Sequence, residues 1–140
     1  MKKSVSDFVA FCADLMQPEK TVWIDGSKRQ IDELNKTAVK TGEFIELNNQ
    51  KLPNCFLHRS AINDVARVEG RTFICSKTKE QAGPTNNWME PNEAYNLLSD
   101  ISRGCMKGRT MYVIPYSMAP AGSPFAKYGI EVTDSIYVVT

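Results

Sequence analysis

The run Thr110-Met111-Tyr112-Val113-Ile114 narrows the folds open to this chain more than any other stretch. Its residues are β-branched, aromatic or readily buried, and none is a breaker. It predicts a central strand ending at Pro115, because proline has no N–H to give to a ladder. A central strand needs neighbours on both edges and helices over its faces, so the remaining segments must supply them.

They alternate accordingly. Ser4 and Asp7 resemble a capping pair, and Phe8, Phe11, Cys12 and Leu15 recur on one face, which predicts a helix over 4–16 stopped by Pro18. Thr21-Val22-Trp23-Ile24 reads as a short strand and Asp25-Gly26 as a turn. Ser27 and Gln30 form a second capping signature for a helix to about Lys40, with Ile31, Leu34 and Ala38 inward and Gly42 as the stop. Strands follow at Phe44-Ile45-Glu46-Leu47 and Cys55-Phe56-Leu57, and 60–65 can form a helical turn. Beyond a polar loop, 77–87, Glu90-Pro91 opens a third helix whose apolar face is Ala94, Leu97, Leu98 and Ile101. Gly104 or Gly108 lets the chain leave it. Ile130-Glu131-Val132-Thr133 alternates like a half-exposed strand. With no internal repeat and no low-complexity linker, residues 1–140 are expected to form a single α/β domain, a mixed sheet with helices packed on it.

One stretch concentrates charge at the lip of a strand. Asp64-Val65-Ala66-Arg67-Val68-Glu69-Gly70-Arg71 leads into Thr72-Phe73-Ile74-Cys75, which reads as a buried strand. A guanidinium is permanently charged and grips a carboxylate or phosphate in a two-pronged fork, so Arg67 is suited to an anionic ligand. Gly70 allows a turn or a close approach to that ligand. The competing reading is an ion-paired strand end, in which Arg67 and Glu69 satisfy neighbours.

The segments DVARVEGRTFICSKTKEQAGPTNNWMEP and GCMKGRTMYVIPYSMAPAGSPFAKYGIEVTDS closely resemble the amino-terminal domain of the GTP-dependent phosphoenolpyruvate carboxykinases. The likeness runs from about Leu52 to Thr140, with TNNWM and GRTMYVIP as its longest runs, and is loose before Leu52. It implies that Arg67, the arginine of the ARVE segment, contacts the carboxylate of oxaloacetate or phosphoenolpyruvate. It also implies that Glu69 lies on the loop that helps hold a mobile lid closed. The parent activity would convert oxaloacetate and GTP to phosphoenolpyruvate, GDP and CO2, as in gluconeogenesis. GTP, Mn²⁺ and Mg²⁺ would be held by a carboxy-terminal nucleotide-binding part that follows in such enzymes, which are expected to be monomers. No catalytic, cofactor or metal residue is assigned within 1–140, and the chain alone is expected to be inactive. The alternative is a free-standing, non-catalytic anion-binding or interaction domain.

Two departures from the family pattern stand out. Gly70 sits where many relatives carry a larger residue, and Ile136 stands where the family has a proline in the first turn of a long helix. By composition alone, Ile136-Tyr137-Val138-Val139-Thr140 would be a strand. By resemblance it is the start of a helix, which predicts that these residues are a segment of a longer polypeptide.

Other features point away from further chemistry. The net charge of +1 offers no electrostatic case for nucleic acid or an anionic membrane. The N-terminal apolar run is broken by Asp7 and Asp14 and lacks a cleavage site, so no signal peptide is expected, and the location predicted is cytoplasmic. Cys12, Cys55, Cys75 and Cys105 lack paired spacing and read as reduced, mostly buried thiols. The lone His58 reads as a loop or surface residue, since a metal needs clustered partners. Trp23 and Trp88 read as core or interface aromatics. The run 104–110 is one residue short of a phosphate loop, has arginine in place of lysine and precedes a strand, so it reads as a loop or helix exit.

Overall fold

The computed structural model describes residues 4–62 and 68–140. The first helix, α1 (Val5–Met16), begins at Ser4 with a complete capping box: the Ser4 hydroxyl accepts from the Asp7 N–H, and the Asp7 carboxylate accepts from the Ser4 N–H. β1 (Lys20–Trp23) follows. α2 (Lys28–Thr41) is capped by the Ser27 hydroxyl and closed by Gly42 at φ 81°, in the left-handed region that suits glycine. Gln30 does not complete a capping box. Its amide instead bridges the Trp23 carbonyl and the Asp25 N–H, tying the strand exit to the helix entry.

Two short strands, β2 (Ile45–Glu46) and β3 (Phe56–Leu57), pair antiparallel. β4 (Phe73–Ile74) pairs parallel with β5 (Asn87–Trp88), which leads into α3 (Pro91–Ser102). β6 (Thr110–Ser117), β7 (Tyr128–Thr133) and α4 (Ile136–Val139) complete the described chain. β6 is the middle strand of a mixed sheet in the order β1-β6-β7, parallel to β1 and antiparallel to β7. No described helix is long and apolar enough to cross a membrane.

The period-2 alternation of β6 splits the core in two. Met111 and Val113, both fully enclosed, point to one face and pack with Val9, Cys12 and Met106. Tyr112 points to the other and packs with Leu34, Ala38, Phe44 and Ile136. The sheet is therefore covered by α1 on one side and by α2 and α4 on the other.

Several expectations need correction. β6 does not end at Pro115 but runs through it to Ser117. The Val113 carbonyl accepts from the Ile24 N–H, so the backbone groups of alternate residues 113 and 115 face the β1 side, where pairing stops at Trp23. The missing N–H of Pro115 thus falls on an open edge and breaks no ladder bond. α1 buries Val9 and Cys12, whereas Phe8 is 39% exposed. A helix this apolar offers more than one stripe of correct period, and only the sheet selects the face. The stretch after Thr72 is no buried strand: β4 spans two residues, and Phe73 and Ile74 are exposed. Cys55, Cys75 and Cys105 are likewise exposed, leaving Cys12 as the buried thiol. On α3 only Ala94 is buried, while Leu97, Leu98 and Ile101 lie exposed. The helical turn expected over 60–65 falls largely outside the described residues. At the other end, Ile136–Val139 is helical, against its local propensity.

Candidate functional site

Arg67, to which the sequence assigns substrate binding, lies outside the described residues. The segment immediately after it is well defined. Glu69–Arg71 forms a single 3-10 turn. The Arg71 N–H and the Thr72 hydroxyl both donate to the Val68 carbonyl, at 3.1 and 2.7 Å, and the Thr72 N–H donates to the Glu69 carbonyl at 3.1 Å. Gly70 sits inside this turn without a left-handed φ, and a Cβ there would meet no described atom within 4 Å. The turn does not draw on the left-handed freedom of glycine, and a larger residue at this position fits the same backbone.

The wall opposite the turn comes from residues far along the chain. The Asn87 side-chain amide donates to the Glu69 carbonyl at 2.8 Å and to the Thr72 carbonyl at 3.2 Å. The Trp88 indole donates to the Ser76 carbonyl at 3.0 Å, and the Asn86 amide to the Ala82 carbonyl at 2.7 Å. A 3-10 turn, Lys79–Ala82, is set by a capping box in which the Thr78 hydroxyl and the Gln81 side chain answer each other's backbone. Within it, the Glu80 carboxyl is held below its ordinary range, first by its own backbone N–H and then by the Thr78 hydroxyl. Glu69, Thr72, Thr85, Asn86 and Asn87 line a concavity of about 360 Å³. Its lining is one carboxylate, two hydroxyls and two amides, a surface that orients polar ligands but carries no described cation.

Other sequence candidates lie elsewhere. Arg109 donates to Asp134 at 2.5 Å beside a concavity of about 440 Å³, so that guanidinium is already engaged, and the carboxylate beside it raises its pKa. His58 follows β3 in a loop, as expected, and is partly buried there. Its ring stacks on Tyr137 of α4 at 4.1 Å between centroids, and its Nδ1 lies 3.0 Å from the Glu43 carbonyl. Trp23 is 46% exposed at the sheet edge rather than in the core. The glycine run 104–109 is a turn before β6: the Gly104 and Met106 N–H groups donate to the Leu15 and Met16 carbonyls. It closes the C-terminal end of α1, whose last carbonyls would otherwise lack partners. The same turn, with Gly104 at φ 68°, carries the chain out of α3, the loop or helix-exit role that the sequence indicates, whereas its capping of α1 was not foreseen.

Among the described residues no group of three or more His, Cys, Asp or Glu could hold a metal ion. The described residues therefore offer no such cluster for the divalent cations that the resemblance implies. No local pattern in the sequence signals Asn87. It appears there only as one letter of TNNWM, and a bond to carbonyls 15 and 18 residues away leaves no local pattern.

Residues 7–140 match the phosphoenolpyruvate carboxykinase N-terminal domain, so the likeness reaches well before Leu52. A phosphoenolpyruvate carboxykinase (GTP) from Anaeromyxobacter sp. (strain K) is 58% identical over 126 residues, covering 90% of this chain and 21% of the relative. The enzyme of the same name from Corynebacterium kroppenstedtii is 52% identical over 133 residues, covering 95% and 21%. That from Neocallimastix frontalis is 49% identical over 139 residues, covering 99% and 23%. The chain spans about a fifth of the length of these relatives. At such identity over nearly all of its length, the chain belongs to the phosphoenolpyruvate carboxykinase N-terminal domain family.

Proposed function

We propose that residues 1–140 serve as the amino-terminal, substrate-binding part of a GTP-dependent phosphoenolpyruvate carboxykinase. The observation that carries this is the match over 7–140, which includes the ARVE segment at 66–69, to relatives bearing that enzyme's name. In this reading Arg67 forms paired, charge-assisted hydrogen bonds to the carboxylate of oxaloacetate or phosphoenolpyruvate, fixing its orientation for reaction. Glu69 contacts the lid that closes over the site. Polypeptide outside these residues supplies the nucleotide, Mn²⁺ and Mg²⁺ sites, and residues 1–140 alone do not turn over substrate.

The test is kinetic. In the intact enzyme carrying this domain, Arg67→Lys raises the KM for the acid substrate or lowers turnover by about tenfold or more, because one ammonium cannot reproduce the fork. Kinetics within error of the parent would remove Arg67 from the site. Glu69→Ala lowers turnover with near-normal ground-state binding, as expected of impaired lid closure, and unchanged turnover would end that assignment. Calorimetry on residues 1–140 with phosphoenolpyruvate or oxalate asks whether the anion pocket works alone. Heat that disappears in Arg67→Ala would support the free-standing binding reading instead.

A further inference from the structure

We infer that Asn87 is a positioning residue for the substrate-binding segment, a step that rests on the roles proposed for Arg67 and Glu69. A single side chain ties the two sides of the site together. The Asn87 amide nitrogen has two hydrogens, and the two carbonyls it meets, those of Glu69 and Thr72, bracket the 3-10 turn Glu69–Arg71. The same residue pairs by its backbone with Phe73 across β4–β5, which sets it beside the turn, where its exposed side chain reaches both carbonyls. β4 and β5 are only two residues each, and Phe73 and Ile74 are exposed. Burial therefore does little to hold this turn, and the polar ties must do most of it.

The consequence reaches Arg67 by covalent geometry. Val68 is one Cα step from Arg67, about 3.8 Å. Its carbonyl is fixed by the Arg71 N–H and the Thr72 hydroxyl within the turn that Asn87 clamps. Holding 68–72 fixes which way the Glu69 side chain leaves the backbone and anchors the point from which the chain leads back to Arg67. Two bonds from one amide cost little entropy beyond the first, since the second is made by a group already placed. Asn87 itself touches no reacting atom and acts only through its neighbours.

The experiment uses two variants. Asn87→Asp keeps the shape and replaces both N–H donors with an oxygen that repels the same two carbonyls, and Asn87→Ala removes the bridge. In residues 1–140, both raise amide exchange at Arg71 and Thr72 by about tenfold or more, while Met111 and Val113 in β6 are unchanged. In the intact enzyme, Asn87→Asp raises the KM for the acid substrate by about three- to tenfold and leaves the KM for nucleotide alone, a split that general loss of structure would not produce. Unchanged exchange at Arg71 and Thr72, or a rise shared equally with β6, overturns the inference. So does an unchanged acid-substrate KM where Arg67→Lys raises it. If Arg67→Lys is silent, the substrate reading fails and takes the positioning role with it. The exchange data then still report separately whether the clamp exists.

Discussion

Met111 and Val113 in β6 are wholly enclosed, whereas Leu98 and Ile101 on α3 leave 61% and 67% of their surface exposed. The contrast extends to the regions around them. The three-stranded sheet has apolar residues on both faces and helices over each, so burial sets its register and layer order. The region from Val68 to Ser102 has two-residue strands, two 3-10 turns and a helix with one buried residue. It is organised by side chains that bond backbone: Thr72 to Val68, Asn87 to Glu69 and Thr72, Trp88 to Ser76, and Thr78 with Gln81. Each such bond contributes only about 0.5–1.5 kcal/mol net, so this region is the softer of the two. The candidate site lies on the softer one, as expected of elements that must adapt to a ligand or a lid.

Substitution in the two regions should separate them sharply. Met111→Ala is expected to cost about 2–5 kcal/mol, the range for emptying an enclosed side chain, whereas Leu98→Ala should stay within about 0.5 kcal/mol. Urea titration of both variants checks this, and equal losses would erase the distinction. Thiol chemistry gives a second contrast. Burial pushes the Cys12 thiol up from its ordinary pKa, while Cys55, Cys75 and Cys105 are exposed. With a thiol reagent near pH 8, three groups should react quickly and Cys12 only on unfolding. Fast labelling of all four would show that the α1 face of the sheet opens readily.

The smallest expected effect is at the start of α3. The Glu90 carboxyl lies below its ordinary value of 4.5, first because the Glu93 N–H donates to it and then because Asn92 does. A depressed carboxyl pKa stabilises the folded form above the ordinary value, and that contribution is lost as pH falls through the depressed one. The amides of Asn92 and Glu93 should therefore lose protection below pH 4.5, before those of β6. Simultaneous loss in both regions would mean that α3 and the sheet unfold together.

Much of the first region was legible from short-range pattern. Ser4 with Asp7, Ser27 before α2 and Gly42 after it lie within a turn of the backbone groups they serve, so these helix ends could be read directly, as could Pro91 at the start of α3 in the second region. The site was legible only as a charged segment, Arg67 to Arg71, beside a strand-like run. That run was wrongly expected to be buried, because composition records how readily Phe73 and Ile74 can be covered and not whether anything covers them.

By itself, the sequence determined the helices with capped ends, the central place of β6 and, through long runs of likeness, membership of a carboxykinase family. Those features depend on residues a few positions apart or on the order of letters alone. Tertiary structure decided the rest. Ile136 and Val139 are three apart, so a helix puts both on the core beneath Tyr112, and this outweighs their preference for strand. Pro115 is tolerated because β1 has already stopped pairing, and α1 turns Val9 inward because the sheet lies on that side. Asn87 reaches Glu69 because parallel pairing brings residues 18 apart within hydrogen-bonding distance. Each of these outcomes depends on which distant segment becomes a neighbour, and that is settled only when the layers pack.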